Sequence, residues 1–380
     1  MTQETRTEET RPAQASLARA KEVAPVALPA AMAQARRESG KPVAVQALEM
    51  LRLRRAIGGI TPEEYIANRL YDDRLFDMAA RRRFLGVTGE RRIDRICNSD
   101  HRWRAPVRDK IVFAAMMRGL GFPVPQLVAF HHARRPCFMG RDLRTRDDLT
   151  AFLRGLDRPV FGKPLGGRWS LGAASLEGFE AASDSVTTLG GAPFPVEALA
   201  DQIAGFAEEG YLFQERLEPH RLLARACGPA VGTVRLLTGM SPDGPELLGA
   251  VWKVIGGGNI ADNFWRTGNM LAAIDPRSGA VTRVASGLGA LHTTHEVHPD
   301  SGETLLGLVL PDWQETHALC LSAATALAGL RLIGWDLALT RRGPVIVEAN
   351  TLPAFNLHQI ATGKGLLEGR FAAFVESCRR

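Results

Sequence analysis

Apolar residues recur along the chain with the spacings of helices and strands, and the two kinds of segment alternate from about residue 107 onward. Apolar positions three and four apart predict helices, whereas short alternating or continuous apolar runs predict strands. Antiparallel strand pairs follow one another towards the C-terminus, so the pattern predicts mixed α+β layers. The predicted helices are 107–120, 145–153, 196–209 and 317–330, and the predicted strands are 126–130, 158–163, 211–215, 232–238, 246–255, 270–274 and 280–284.

The first hundred residues differ from the rest in composition. Residues 1–42 are rich in Ala, Glu, Arg and Thr and have few large apolar side chains, which predicts a disordered tail that can hold a transient helix. Residues 43–100 predict a mostly helical, arginine-rich region. Within it, Thr61 can N-cap a helix, and Pro62 suits the first helical position. The sequence of this region does not indicate its role.

The segment from Gly334 to Asn350, GWDLALTRRGPVIVEAN, predicts a β-hairpin. Two apolar strands flank a short turn-like break at residues 341–343. If Arg342 lies at the centre of the turn, Asp336 is directly opposite Glu348. A slip of one residue in the turn would make this pair diagonal instead.

The predicted hairpin places oxygen-bearing side chains on one face. Asn350 shares the face of Glu348, because side chains alternate with period two along a strand. Like charges directly opposite one another are unfavourable, so Asp336 and Glu348 need a compensating cation. Oxygen ligands of this kind suit Mg²⁺, which completes its shell with water and substrate phosphates. The alternative is an edge hairpin whose two carboxylates face water.

Composition and charge narrow the class of protein. The formal net charge of +6 is mild for 380 residues and no block of Lys and Arg forms, so we expect anionic substrates and no nucleic-acid partner. Five cysteines without C-x-x-C spacing argue against disulfides or a zinc site and fit a reducing cytoplasm. No apolar run approaches the roughly 18 residues of a membrane span, and the N-terminus lacks the apolar core of a secretory signal. These observations predict a cytoplasmic protein without a membrane partner.

Basic residues occur at two kinds of position that suit phosphate. Lys163 ends a predicted strand and precedes the glycine-rich loop 164–172. An ammonium group there meets phosphate charge, while small residues let backbone N–H groups approach; a plain surface loop is the alternative. Arg235 and Lys253 lie inside apolar strands. A buried arginine must find a partner, which can be phosphate or an internal carboxylate, whereas an exposed strand face also explains the lysine.

Two polar segments lie at the ends of apolar strands. Gln214 and Glu215 close a strand and can offer backbone groups and a carboxylate to an adenine nucleotide, although solvated loop charge explains them equally. The loop 262–269 begins with Asp262 and Asn263 and contains aromatic residues. It could close over a substrate or only turn the chain.

Other constellations give weaker signals. His292, His295 and His298 are spaced three apart, which suggests a transition metal, but their loop-like segment favours a surface loop. No G-x-S-x-G elbow occurs and no cysteine has a recognisable reactive context, so no nucleophile is indicated. The polar groups instead suit the electrostatic handling of a phosphoryl group, which needs positioning more than covalent chemistry.

With these residues in view, the chain resembles the ATP-grasp superfamily. More narrowly, it resembles the sugar-transfer-associated branch, which is related to the RimK-like α-L-glutamate ligases. The resemblance covers roughly residues 100–370 and is strongest in GWDLALTRRGPVIVEANTLPAFNLHQIATGKGLL. Family metal ligands are an Asp, a Glu and an Asn two residues later, which match Asp336, Glu348 and Asn350. The resemblance implies an α+β fold in which two α+β subdomains clamp ATP between them, after a helical N-terminal region.

The resemblance also implies the division of the chain and further site residues. It places the ATP-grasp domain at residues 101–375, with the nucleotide clamp at about 140–220 and the metal-binding core at about 230–360. The residues implied to bind the nucleotide, as phosphate lysines or adenine hinge, are Lys110, Lys163, Gln214, Glu215 and Glu218. Those implied to act in catalysis are Arg235, Lys253 and Asn263.

The implied activity is that of a ligase dependent on ATP and Mg²⁺, with Mn²⁺ as a substitute. It would activate a small-molecule carboxylate as an acyl phosphate and join it to an amine or similar nucleophile. A small-molecule or sugar kinase is one alternative. A catalytically silent nucleotide-binding scaffold in a polysaccharide or natural-product pathway is another, against which the intact metal trio argues. ATP-grasp relatives are often dimers, so a homodimer is implied by analogy alone.

Overall fold

The computed structural model describes Leu17, residues 27–166 and residues 172–379. Within these residues, fourteen strands form two seven-stranded sheets, and thirteen α-helices accompany them. The predicted mixed α+β architecture is confirmed. Most of the predicted glycine-rich loop, residues 167–171, lies outside the described residues.

A helical region precedes both sheets and has its own small core. Tyr65 and Leu70 are fully buried in this core, with Leu53 and Ile60 beside them. The predicted start at Thr61 is confirmed, because its side chain and that of Glu64 cap one another's backbone N–H groups. The helices are α1 (Leu28–Ser39), α2 (Val43–Arg55), α3 (Pro62–Ala67), α4 (Met78–Arg81) and α5 (Val87–Cys97).

Helix α1 corrects the predicted extent of the tail. It occupies Leu28–Ser39, inside the segment 1–42 that was predicted to be disordered. The segment has few large apolar residues, but Met32 and Ala35 are buried, and an alanine-rich sequence forms a helix readily. Gly40 ends the helix with a φ of 74°. The helical region therefore begins at residue 28 and not at residue 43, while residues 1–16 and 18–26 lie outside the described part.

The predicted helix 107–120 is two helices. Asp109 has an extended backbone, with φ −100° and ψ 112°, and its side chain accepts the N–H groups of Ile111 and Val112. It therefore ends one helix and N-caps the next, which places Lys110 at the first position of the second helix. These helices are α6 (Ala105–Arg108) and α7 (Lys110–Gly119).

The first sheet contains residues 127–215. Its strand β7 lies between β1 and β3 and is antiparallel to both, in the order β2-β1-β7-β3-β4-β5-β6. Thr145 and Asp148 form a capping box at the start of α8, where a helix was predicted from residue 145. The elements are β1 (Leu127–His131), β2 (Arg141–Leu143), α8 (Arg146–Arg154), β3 (Val160–Pro164), β4 (Ala174–Glu180), β5 (Ser185–Thr188), β6 (Pro193–Pro195), α9 (Val196–Ala204) and β7 (Tyr211–Glu215).

The second sheet follows and is antiparallel throughout, in the order β12-β11-β10-β9-β8-β13-β14. Trp252 and Trp335 are buried in the core on one face, with residues of α11 such as Cys320. Val251 and Leu271 are buried on the other face, against α12. The elements are α10 (Arg221–Cys227), β8 (Thr233–Ser241), β9 (Gly244–Val254), β10 (Met270–Ile274), β11 (Val281–Ser286), β12 (Thr293–His295), α11 (Trp313–Ala326), β13 (Leu332–Thr340), β14 (Gly343–Asn350), α12 (Phe355–Thr362) and α13 (Gly369–Ser377).

Two other predicted helices have shifted boundaries. The helix predicted at 317–330 begins earlier, at Trp313, because the αL residue Asp312 is its N-cap. The helix predicted at 196–209 ends at Ala204, where Gly205 follows. The predicted strands all occur, with boundaries moved by a few residues at most.

Candidate active site

The hairpin β13–β14 brings Asp336 directly opposite Glu348, as predicted, but for a different reason. Its turn has two residues, Arg341 and Arg342, so Arg342 alone is not its centre. That turn on its own would pair Asp336 with Val347. A β-bulge between Leu337 and Asp336 restores the pairing with Glu348, and such bulges re-aim side chains near functional sites.

Four charged residues lie side by side on one face of the second sheet. Arg235 in β8 is directly opposite Asp336 in β13, which in turn is opposite Glu348 in β14. Lys253 lies two residues beyond Val251, the β9 partner of Arg235, and therefore on the same face. Each of these charged residues stands alone in an apolar strand, and strand pairing brings them together on one face of the sheet.

Asp336 is held by two cations. Arg235 donates from Nε to Oδ1 at 2.5 Å and from Nη2 to Oδ2 at 2.8 Å, while Lys253 Nζ lies 3.0 Å from Oδ2. All three side chains are buried. The internal carboxylate, not phosphate, is therefore the partner of Arg235. It also follows that the compensating cation predicted for Asp336 is supplied by the neighbouring strands.

Glycine at position 334 makes this geometry possible. A Cβ there would lie 2.5 Å from Cβ of Pro353 and 3.2 Å from Cδ of Arg235. Arg235 crosses this space, and its Nη1 donates to the carbonyl of Pro353 at 2.6 Å. The guanidinium thereby links β13 to the segment that leads into α12.

Ionisation of the cluster follows from its charges. Burial opposes the charge on Asp336, but Arg235 and Lys253 outweigh it and hold the pKa of this carboxyl well below its usual range. Burial likewise opposes the charge on Lys253, yet Asp262 and Asp336 raise its pKa. Asp336 and Lys253 therefore both stay ionised at neutral pH.

Glu348 and Asn350 supply the oxygens that suit a divalent cation. Among the described residues, Glu348 forms no ion pair, and its Oε1 accepts only from Asn350 Nδ2, at 3.1 Å. Three donors already occupy Asp336, out of about four lone-pair sites on a carboxylate. The donor set fits Mg²⁺ when Glu348 and Asn350 are the main ligands and Asp336 contributes one oxygen. The described residues contain no group of three or more His, Cys, Asp and Glu side chains that could hold a metal ion, so a site here depends on the amide of Asn350 as well.

The charges of this carboxylate pair reach Lys163, which lies in β3 of the first sheet. Burial and the charge of Lys110 lower the pKa of Lys163, and the carboxylates of Glu348 and Asp336 oppose this shift. Lys110 Nζ donates to the carbonyl of Leu165 at 2.6 Å, just after β3. The two predicted phosphate lysines therefore lie near one another, and their role towards phosphate stays a prediction.

The loop 262–269 contributes Asp262 to the cluster. Asp262 Oδ2 accepts the N–H of Thr233 at 2.9 Å and lies 3.3 Å from Lys253 Nζ. The Oδ1 of Asn263 accepts the N–H of Trp265 within its own turn, at 3.2 Å. The catalytic role that the resemblance implied for Asn263 stays a prediction.

The predicted adenine hinge lies along the turn of the β13–β14 hairpin. Gln214 is buried in β7. Glu215 pairs with Arg342 at 2.9 Å and also accepts the N–H of Gln126. The exposed Glu218 pairs with Arg341 at 3.0 Å. Both carboxylates thus attach the segment between the two sheets to the hairpin turn, and their role towards a nucleotide stays a prediction.

The three histidines predicted as a weak metal candidate do not converge. His292 Nε2 accepts from Arg283, His295 shares a hydrogen bond with Ser286, and His298 Nε2 bonds the carbonyl of Ile255 at 2.7 Å. Their ring nitrogens are directed to three different partners. The preferred interpretation as a surface loop is corrected in part, because His295 ends strand β12 and His298 is buried.

Helix α5 of the N-terminal region also reaches the site. Glu90 Oε1 accepts the N–H of Ala354 at 2.5 Å, at the N-terminus of α12, where Ala354 has a φ of 56°. Burial raises the pKa of Glu90 to about 7, although two backbone N–H groups and the charge of Arg235 oppose this. No sequence pattern marks this residue, because its contact spans more than 260 positions.

We expect Glu90 to make stability depend on pH. Its carboxyl binds a proton near pH 7 in the folded state but near 4.5 when unfolded. Relative to Glu90→Gln, the wild type should therefore gain unfolding free energy as pH falls from 7 to 4.5. The upper limit is about 1.4 kcal/mol per unit of pKa difference, reduced by partial exposure. Urea unfolding of both proteins across this range measures the effect, and Glu63→Gln, at an exposed position, is the control. A difference independent of pH would contradict the expectation.

Comparison with protein-family models gives a match over most of the chain. The sequence model of a family described as sugar-transfer associated ATP-grasp matches residues 95–373. The comparison with curated proteins finds no match. Among the described residues, no helix combines the length and apolar character needed to cross a bilayer.

Several solved structures resemble the chain at low sequence identity and with TM-scores below 0.5. The ATP-grasp ligase PsnB, in complex with a precursor peptide and AMPPNP, is 18% identical with a TM-score of 0.41, over 75% of this chain and 63% of PsnB. D-alanyl-alanine synthetase A from Vibrio cholerae is 13% identical with a TM-score of 0.41, over 73% and 65% of the two chains. Biotin carboxylase from Campylobacter jejuni is 10% identical with a TM-score of 0.43, over 73% and 47%. The chain thus spans less than two-thirds of the length of each.

The family match covers most of the chain and includes both sheets, the cation-held Asp336 and the two predicted phosphate lysines. The chain belongs to the sugar-transfer associated ATP-grasp family.

Proposed function

We propose that the protein is an ATP- and Mg²⁺-dependent ligase, which activates a carboxylate as an acyl phosphate and joins it to an amine or similar nucleophile. The observation that carries this proposal is the arrangement of charges on the second sheet, where Asp336, held by Arg235 and Lys253, lies directly opposite Glu348. The charges of both carboxylates also reach Lys163 on the first sheet. Cations on one side and oxygen ligands on the other form a site for a metal-bound polyphosphate. The first sheet and its helices are the proposed nucleotide clamp.

The residues of the chain divide the work of phosphoryl transfer between them. Glu348, Asn350 and one oxygen of Asp336 would hold Mg²⁺. When bound, that ion would supply the positive charge that neutralises the negative charge developing in phosphoryl transfer. Lys163 and Lys110 would neutralise the other anionic oxygens and align the γ-phosphoryl group with the attacking carboxylate.

Arg235 and Lys253 act on Asp336 in this scheme. Because both cations contact the carboxylate directly, they fix its orientation and keep it ionised. They are therefore positioning residues rather than groups that touch the substrate. This assignment differs from the catalytic roles that the resemblance implied for them.

We expect ATP to stabilise the protein in a Mg²⁺-dependent way. A ligand at 100 times its dissociation constant raises the unfolding free energy by about 2.7 kcal/mol. A thermal-shift titration with ATP, ADP and a non-hydrolysable analogue, each with and without Mg²⁺, measures this without knowledge of the acceptor. The rise with Mg²⁺ should be lost in Asp336→Asn/Glu348→Gln, while Glu246→Gln, a strand glutamate paired with Arg370, serves as control. No shift with any nucleotide would contradict the proposal.

Acyl phosphate formation is tested by trapping. With hydroxylamine as the amine, carboxylates that are substrates should give hydroxamates together with ADP, because hydroxylamine displaces phosphate from an acyl phosphate. Pools of candidate carboxylates can be screened in this way. ADP release with a stable phosphorylated product, and no hydroxamate, would favour a kinase instead.

A further inference from the structure

Helix α12 begins shortly after the predicted metal ligands, and its N-cap has a strained backbone. Ala354, the N-cap, has a φ of 56° and a ψ of 67°, in the left-handed region. A residue other than glycine rarely adopts this conformation, so the surrounding contacts must hold it there. Alanine also has no side-chain oxygen, so the first N–H groups of α12 need an acceptor from another part of the chain.

That acceptor is Glu90 of α5, in the helical region that precedes both sheets. Its Oε1 accepts the N–H of Ala354 at 2.5 Å, and its carboxyl group also accepts the N–H of Phe355. A carboxylate at this end of a helix is further favoured by the helix dipole. Glu90 therefore supplies the cap that the alanine lacks, and its bond holds the left-handed conformation in place.

The same segment is connected to the charged cluster through Pro353. The carbonyl of Pro353 accepts from Arg235 Nη1 at 2.6 Å, while Nε and Nη2 of this guanidinium hold the two oxygens of Asp336. Pro353 also packs so closely on β13 that Gly334, the strand partner of Asn350, has no room for a Cβ. The position of Pro353 therefore affects both the cation that holds Asp336 and the backbone opposite Asn350.

Other contacts attach α12 to the same helical region farther from the metal trio. Gln359, in the middle of α12, accepts the N–H of Leu85 at 2.7 Å and donates to its carbonyl at 2.8 Å. Phe355 is buried with Leu85 and Ile93 in one apolar cluster. Among these contacts, the bond from Glu90 is the one that ends on the residue next to Pro353.

We propose that Glu90 is a positioning residue of the ligase, which holds Ala354 so that the carbonyl of Pro353 stays within reach of Arg235. Loss of this bond lets the strained backbone relax, which moves the acceptor of Arg235 and loosens Asp336 without removal of any metal ligand. This inference rests on the proposed function and deepens it. It makes the N-terminal helical region, most of which precedes the family match at residue 95, a part of the metal site.

The test measures how much Mg²⁺ each variant of the full chain needs. At a fixed concentration of ATP, the half-saturating Mg²⁺ concentration is obtained from the rise of the thermal midpoint above that of the same protein without ligand. Glu90→Ala should need at least about tenfold more Mg²⁺ than the wild type, as is typical when a group that supports a metal ligand is removed. Glu90→Gln keeps an oxygen that can accept the N–H of Ala354, so it should need nearly the wild-type concentration.

Gln359→Ala is the matched structural control. It breaks both bonds between α12 and Leu85 but leaves the bond to Ala354 intact. We expect its thermal midpoint without ligand to fall, because buried backbone groups lose their partner, while its half-saturating Mg²⁺ concentration stays that of the wild type. Equal weakening of Mg²⁺ binding in Gln359→Ala and Glu90→Ala would show that Glu90 contributes only stability and would overturn the inference. A wild-type Mg²⁺ requirement in Glu90→Ala, or no rescue by glutamine, would overturn it as well.

Hydrogen exchange of the Ala354 and Phe355 amides tests the same contact without nucleotide. Exchange should be faster in Glu90→Ala than in the wild type, and near the wild-type rate in Glu90→Gln. Glu90→Asp keeps the carboxyl but shortens the side chain by one methylene, so it gives the comparison in a milder form if the alanine variant does not fold. Unchanged exchange in both shortened variants would overturn the inference. Absence of any Mg²⁺–ATP shift from the wild type would instead contradict the ligase proposal, while the exchange rates still report on Glu90.

Discussion

Glu348→Gln is expected to reduce ADP formation at least about a hundredfold while the fold stays intact. Of the two carboxylates predicted to bind the metal, Glu348 is the one that forms no ion pair with a described residue, so its charge is available to a metal ion. Glutamine keeps the volume and one carbonyl oxygen but removes that charge. The measurement is the rate of ADP release at saturating ATP and Mg²⁺, with a carboxylate and amine found by hydroxamate trapping.

A matched variant separates loss of the metal ligand from loss of any strand carboxylate. Glu246→Gln removes a glutamate of β9 that pairs with Arg370 on the surface, and such pairs contribute about 0–1 kcal/mol. We expect near-normal ADP release from this control, and equal thermal midpoints for both variants without ligand. Normal Mg²⁺-dependent turnover in Glu348→Gln would contradict the assignment of the metal ligands.

The sequence predicted the elements of the site better than their connections. Apolar alternation located both strands of the hairpin, and period-two geometry placed Glu348 and Asn350 on one face. The pairing of Asp336 with Glu348 was predicted from a turn centred on Arg342, whereas a bulge at Val347 produces it. A bulge leaves no reliable mark in a single sequence, because the extra residue is an ordinary apolar one.

Contacts between distant segments account for most of what could not be predicted. Arg235 was left with two alternative partners, since strand order decides that Asp336 lies beside it. Glu90 reaches α12 from a region whose role its sequence does not indicate.

The two sheets are connected through charges at the hairpin turn as well as through the site. Glu215 pairs with Arg342, and Glu218 pairs with Arg341. The segment that follows β7 is therefore attached to the hairpin that contains Asp336 and Glu348. The backbone reinforces this, with the N–H of His220 bonded to the carbonyl of Leu339 at 2.8 Å. Movement of the proposed clamp about this segment would therefore be transmitted to the hairpin.

Arg235→Met is expected to cost about 3 kcal/mol of unfolding free energy, at the lower end for a broken buried ion pair. The substitution leaves Asp336 buried with only Lys253 as its cation, and it also removes the donor to the carbonyl of Pro353. Urea unfolding at neutral pH measures the loss. A surface control is Arg370→Met, which breaks only the exposed pair with Glu246.

The double variant Arg235→Met/Asp336→Leu identifies the source of that cost. If it arises from the uncompensated carboxylate, removal of the carboxylate should restore at least half of the lost stability, because Lys253 keeps Asp262 as a partner. If the cost arises instead from lost packing of the arginine stem, the loss of unfolding free energy in the double variant should equal the sum of the losses in Arg235→Met and Asp336→Leu. The double variant should nevertheless lose the Mg²⁺-dependent nucleotide shift, since a leucine side chain offers no oxygen to the metal. Recovery of stability without recovery of that shift would show that the buried pair is retained for function and not for the fold.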